Sequence, residues 1–140
     1  MIVLDTSFVY ALKDSGDAWH PRVARWYASV SDEDFATTPL VLAEVDLLLR
    51  SRLGPDGTRA LRQDLAHGAL VTEWWPAAAV EAAAVAERYS DLGLSLTDAS
   101  LVVLAARVET DAIATLDERH FRAVRPLTGS PAFRILPADA

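Results

Sequence analysis

Short apolar runs of strand type alternate with longer helix-type runs along the chain, and that alternation limits the fold more than any other feature. Ile2–Asp5, Phe35–Thr37, "ALVTEWW" at 69–75, "AIATLD" at 112–117 and "AFRIL" at 132–136 read as strands. Helices are expected through Phe8–Leu12, over 20–30, over 39–53, from a cap at Asp56 or Thr58 through Ala66, over 77–93 and over 96–109, with a last helical turn through Phe121. Local signals set several ends. Pro21 falls in the first turn of its helix, Thr38 is placed to cap the next with Pro39 at its first position, and Gly54-Pro55 and Gly93 act as stops. The pattern predicts an α/β fold, a three-layer α/β/α sandwich around a mainly parallel five-stranded sheet. With no repeat or linker, residues 1–140 are expected to form one domain.

In such sheets the functional crevice lies at the carboxyl ends of the strands. Two of the apolar runs end there on an acid, Asp5 after "MIVL" and Asp117 after "IATL". Each has a plain reading as a helix N-cap. Asp98 has one too, since Ser95 or Thr97 can cap the helix it starts and the helix dipole favours an acid there. Glu44 is harder to explain away: it lies mid-helix in "LVLAEVDLLL", where no cap is needed and the neighbours are apolar, which predicts a lined pocket. Asp46 points about 200° away around the same helix and is expected to face solvent.

If the four acids converge, they repel one another unless protons or cations relieve them, by about 4 kcal/mol per pair at ~4 Å and an effective dielectric near 20. The chain has no cysteine, so thiolate metal sites, thiol nucleophiles and disulfides are excluded. Oxygen donors alone favour Mg²⁺ or Mn²⁺, whose chemistry at such a site is hydrolysis or transfer at phosphate. The net charge of −7 argues against nucleic acid as a partner, but two divalent cations would bring it to −3. Apolar runs fall short of the ~20 residues of a membrane span, and "MIVLDTSF" lacks the basic region of a signal peptide. No membrane association and a cytoplasmic location are the expectation.

The stretches "VLDTS" at 3–7, "LAEV" at 42–45, "LTDA" at 96–99 and "ATLDERHF" at 114–121 resemble, in order and separation, those of PIN-domain ribonucleases. In size the chain is most similar to the VapC toxins of type II VapBC toxin–antitoxin pairs. The resemblance implies a parallel sheet of order 3-2-1-4-5, and endoribonuclease activity from Asp5, Glu44, Asp98 and Asp117 around one or two Mg²⁺ or Mn²⁺ ions. It also implies a VapB-like antitoxin as partner, RNA as substrate and a homodimer. Thr6, Ser7 and Thr115 match small hydroxyl residues that support the acids. No histidine or lysine is plainly placed as general base, which suits a water activated by the metal; His120, three residues after Asp117, is an imperfect candidate.

Arg119, Arg122 and Arg125 follow Asp117 closely enough to guide RNA phosphates, or to form a solvated basic face. Trp26, Trp74 and Trp75 read as core or interface, and the apolar faces of "RVARWYASV" and "AEVDLLLRSRL" resemble the surface on which an antitoxin segment lies. Other enzyme classes fit poorly. A haloacid-dehalogenase phosphatase needs an acid where Ser7 stands and a late lysine, whereas the only lysine is Lys13. A receiver domain fails for the same lysine and for want of an acid pair. The remaining alternatives are a catalytically inactive α/β binding module and a PIN nuclease outside a toxin–antitoxin pair.

Overall fold

The computed structural model describes residues 1–140. Five parallel strands, β1 (Ile2–Leu4), β2 (Phe35–Thr37), β3 (Val71–Thr72), β4 (Ala112–Ala114) and β5 (Arg134–Leu136), form one sheet in the order β3-β2-β1-β4-β5. Every residue of β1, β2 and β4 is buried. Successive side chains of a strand point to opposite faces, so both faces of the central sheet are covered, as the unbroken apolar runs require. The helices are α1 (Thr6–Lys13), α2 (His20–Ser29), α3 (Pro39–Leu53), α4 (Arg59–Ala66), α5 (Ala78–Arg88), α6 (Leu96–Arg107) and α7 (Glu118–Ala123).

The chain builds the sheet outwards from β1 to β2 and β3, then returns to place β4 on the other side of β1. The strand order therefore reverses between β1 and β4, and connections leave in opposite directions there, opening a crevice. Backbone pairing carries on past the strands: Asp5 N–H donates to Ala114 carbonyl at 3.0 Å, and Thr115 N–H to Leu136 carbonyl at 3.0 Å. The segment after each central strand is thus fixed before any side chain acts.

Three helix starts bear on the crevice. Thr38 Oγ1 accepts from Val41 N–H at 3.4 Å with Pro39 next to it, as the sequence predicts. Ser95 caps α6, its Oγ accepting from Asp98 N–H at 3.0 Å; Gly93, in the left-handed region at φ 66°, turns the chain into that cap. Helix α6 buries every residue from Ala99 to Ala105, and the core is one cluster of 32 residues.

Several expectations about element lengths are corrected. The strand expected over 69–75 is only Val71–Thr72, both exposed: it is an edge that pairs with β2 alone, and β2 has three residues to offer. The helix expected to start at Asp56 or Thr58 has no side-chain cap. Pro55–Thr58 form a 3-10 turn in which Thr58 Oγ1 donates to Pro55 carbonyl, and Asp56 pairs with Arg59. The run 77–93 divides into α5 and a separate 3-10 turn, Ser90–Leu92.

Candidate functional site

The four acids line one cleft of about 450 Å³, together with Thr6, Ser7, Tyr10, Asp17, Trp19, Leu48, Arg52 and Leu116. Asp5 caps α1 with extended backbone (φ −89°, ψ 160°) and is only 4% exposed. Its Oδ1 accepts from Thr6 N–H at 2.7 Å, and its Oδ2 accepts from Ser7 Oγ at 2.7 Å and Thr115 Oγ1 at 2.6 Å. The plain capping reading is therefore correct for Asp5 but incomplete. Two hydroxyls from different ends of the chain fill Oδ2, while Oδ1 keeps a lone pair free.

Those hydroxyls also set the segment that carries Asp117. Ser7 Oγ accepts from Leu116 N–H at 2.9 Å, and Thr115 Oγ1 accepts from Asp117 N–H at 2.9 Å. Asp117 starts α7 but makes no capping bond; its Oδ2 lies 2.9 Å from His120 Nδ1 instead. The same nitrogen lies 3.5 Å from Asp98 Oδ2. Asp98, Asp117 and His120 each offer a ligand atom, all within 4.8 Å of one another. The donor set expected from oxygen alone thus gains an imidazole nitrogen.

Glu44 reaches the cleft from the exposed face of α3, not from the apolar pocket its neighbours suggest. Its two oxygens accept from Thr6 Oγ1 at 2.8 Å and from Thr97 Oγ1 at 2.7 Å. Asp46, as expected, turns to the other side and pairs with Arg50 at 2.6 Å.

Negative charge dominates the cleft, where Asp5, Asp17, Glu44, Asp98 and Asp117 face one arginine, Arg52. Burial is the main cause that raises the Asp5 carboxyl above the usual range; its three hydrogen bonds pull the other way, and Asp117 adds to the rise. Burial also raises Asp98, with further repulsion from Asp5 and Asp117. A divalent cation among these groups would relieve both burdens, so the residues present fit a hard or borderline metal held by carboxylates and one imidazole.

The arginines after Asp117 divide. Arg122 is engaged by Asp139 at 2.6 Å and Glu118 at 3.0 Å, which removes it as a guide for phosphates. Arg119 and Arg125 are exposed, with no ion-pair partner. The cleft's own arginine is Arg52, whose guanidinium lies 4.8 Å from the Tyr10 ring centroid. Trp26 meets Phe8 edge-on at 5.4 Å, a packing role. Trp75 lines a separate apolar groove of about 780 Å³ between α5 and α6, beside Arg107; that groove holds one acid, Glu81, and no metal-type cluster.

Sequence reasoning missed Thr97, Arg52 and Trp19 and undervalued His120. Thr97 had a signal: it adjoins Asp98 in "LTDA" as Thr6 adjoins Asp5 in "LDTS". Arg52 lies eight residues, just over two turns, after Glu44 and so shares its side of α3. Trp19, in a loop, had none.

Comparison with known proteins is consistent across sequence and fold. Residues 2–126 match the PIN domain family. The chain is 37% identical over 137 residues to Ribonuclease VapC26 of Mycobacterium tuberculosis, covering 97% of this chain and all of that one. The fold is similar to that of Mycobacterium tuberculosis VapC20, a sarcin-ricin loop cleaving toxin, with a TM-score of 0.77 and 24% identity over 84% of this chain and 90% of that one. FitAcB from Neisseria gonorrhoeae is also similar in fold, with a TM-score of 0.59 and 21% identity over 84% of this chain and 88% of that one.

Proposed function

The chain belongs to the PIN-domain family, and from that premise we propose that it is a metal-dependent endoribonuclease, the toxin of a type II toxin–antitoxin pair. The observation that carries this reading is the meeting of Asp5, Glu44, Asp98 and Asp117, from two strand ends and two helices, in one cleft. Asp98 and Asp117 with His120, and the free lone pair of Asp5 Oδ1, would hold Mg²⁺ or Mn²⁺. Glu44 would complete the set from α3, where Thr6 and Thr97, the neighbours of Asp5 and Asp98, hold its two oxygens. A bound divalent cation supplies charge stabilisation at the phosphate and lowers the pKa of a water molecule.

The chain's own residues orient this site. Thr115 joins the two strand ends by donating to Asp5 and accepting from Asp117 N–H. Thr6 donates to Glu44, and its N–H to Asp5, so one residue positions acids on two walls. Arg119 and Arg125 supply cationic surface beyond α7 for the RNA backbone. A VapB-like antitoxin, a homodimer and a cytoplasmic location complete the proposal. The apolar face of α3, Val41, Val45 and Leu49, is buried in the core, which leaves Leu47, 64% exposed, as apolar surface for a protein partner. No helix is long and apolar enough to cross a membrane.

The test is incubation of a total RNA pool with the purified protein in Mn²⁺ or Mg²⁺, with cut sites mapped by primer extension. Discrete cuts that disappear with EDTA and with Asp5→Asn are expected. Intact RNA from a protein that binds metal would overturn the nuclease reading in favour of a binding module.

A further inference from the structure

Trp19 is not explained by packing. It is 49% exposed, although a tryptophan ordinarily buries most of its large apolar surface. It stands on the lip of the acidic cleft, and also borders a smaller hollow beside Thr115, Leu116 and Glu118. The connection that carries it is held tightly. Asp17 Oδ1 accepts from Trp19 N–H at 2.8 Å, and Asp14 Oδ1 accepts from Gly16 N–H at 2.9 Å. His20 Nδ1 lies 2.8 Å from Ala11 carbonyl, tying the start of α2 to α1. The backbone beneath the indole is therefore held on the lip, with Arg22 against the ring.

Its surroundings specify what it would meet. The Arg22 guanidinium carbon lies 5.8 Å from the ring centroid, a cation–π contact that puts positive charge at an aromatic surface. Arg52, beside Glu44, adds a cation to the same cleft. A flat aromatic surface with Arg22 against it, and Arg52 in the adjoining carboxylate cleft, match a ligand made of a planar ring and phosphates. A base inside a duplex already has both faces stacked and cannot use such a surface, whereas an unpaired base can.

We propose that Trp19, backed by Arg22, is the stacking platform for an unpaired base of the RNA beside the cleavage site, and that Arg52 contacts a phosphate of the same strand. The proposal rests on the nuclease reading for its substrate, and it assigns the residue that holds the base next to the cut by its face.

Two measurements test it. The first is fluorescence anisotropy of a labelled 12-nucleotide single strand, and of the same strand in a duplex, with Ca²⁺ replacing Mn²⁺ to limit cutting. The single strand is expected to bind better than the duplex. Trp19→Ala is expected to weaken single-strand binding about tenfold or more, Trp19→Phe to retain most of it, and Arg22→Ala to fall between. The second is steady-state cleavage of an RNA that the wild type cuts, where Trp19→Ala should raise KM more than it lowers kcat. Melting temperatures of all variants should lie close to wild type, since the ring is half in solvent.

If the wild type cuts RNA and Trp19→Ala leaves KM and binding unchanged, the platform is wrong and the nuclease stands; the exposed indole then belongs to a protein partner. If the wild type cuts nothing but single-strand binding still falls with Trp19→Ala and returns with Trp19→Phe, the platform stands and the nuclease reading falls. Equal binding of duplex and single strand would overturn the platform, because a base stacked in a duplex offers Trp19 no free face.

Discussion

Asp5 and Glu44 face the same cleft from opposite circumstances. Asp5 is buried at the end of β1 and braced by three donors, two of them hydroxyls, one from a residue 110 positions away. Glu44 stands exposed on α3 and is held by two threonine hydroxyls. Desolvation raises the Asp5 carboxyl, so its ionised form is costly to the fold. The floor acid is thus the more firmly placed and the more costly to the fold, and the rim acid the more open to solvent. Substitutions on the floor should therefore have larger effects than those on the rim, in activity and in stability alike.

The largest effect expected is on activity. Asp5→Asn should lower kcat by about 10³-fold or more, comparable to removing a principal electrostatic group from an active site, and Glu44→Gln by about 10–100-fold, in single-turnover cleavage assays. Equal losses would remove the distinction between floor and rim. Next is stability. Thr115→Val deletes a buried hydroxyl that donates to a carboxylate, and chemical denaturation should show a loss of about 1.5–3 kcal/mol. Thr6→Val, on the rim side, should cost no more than about 0.5 kcal/mol.

A smaller effect sharpens the electrostatic side of the comparison. Burial and neighbouring acids raise Asp98 as they do Asp5, so in the pH range between the ordinary carboxyl pKa and the raised one the folded chain binds more protons than the unfolded chain. Metal-free stability should therefore be greatest below that range and fall as pH rises through the raised pKa values. Asp98→Asn should raise the melting temperature in EDTA at pH 7 by about 2–5 °C and abolish the stabilisation given by Mn²⁺. A variant that melts lower in EDTA and still responds fully to Mn²⁺ would contradict a crowded carboxylate site. The smallest effect concerns ligand type. Removing the imidazole nitrogen with His120→Ala should reduce the preference for Mn²⁺ over Mg²⁺ severalfold, read from the ratio of their dissociation constants.

What the sequence made legible was local or periodic. β2 at Phe35–Thr37, the Thr38-Pro39 start of α3 and the stop at Gly54 depend on neighbours within a few residues, and each stands where expected. The strand order 3-2-1-4-5 came from the resemblance to PIN domains and agrees with the sheet observed. The convergence of the acids follows from two strand ends meeting where the strand order reverses. What was not legible depends on distant parts of the chain. Arg122 is neutralised by Asp139, 17 residues on, and Thr97 finds Glu44 across 53 residues. Glu44 misled because its sequence neighbours are apolar, whereas its neighbours in space are hydroxyls and open solvent. The edge strand β3 stopped short because pairing with β2, and not propensity, sets its length.

The central claim is that the four acids serve one cation site. Isothermal titration of Mn²⁺ into the wild-type protein and into Asp5→Asn, Glu44→Gln, Asp98→Asn and Asp117→Asn, at pH 7 and fixed ionic strength, tests it most directly. Affinity weakened about tenfold or more at Asp98 and Asp117, and measurably at Asp5 and Glu44, is the result expected. Unchanged affinity in the Asp98 and Asp117 variants would contradict the account and leave the cleft a cluster of carboxylates without a shared ligand.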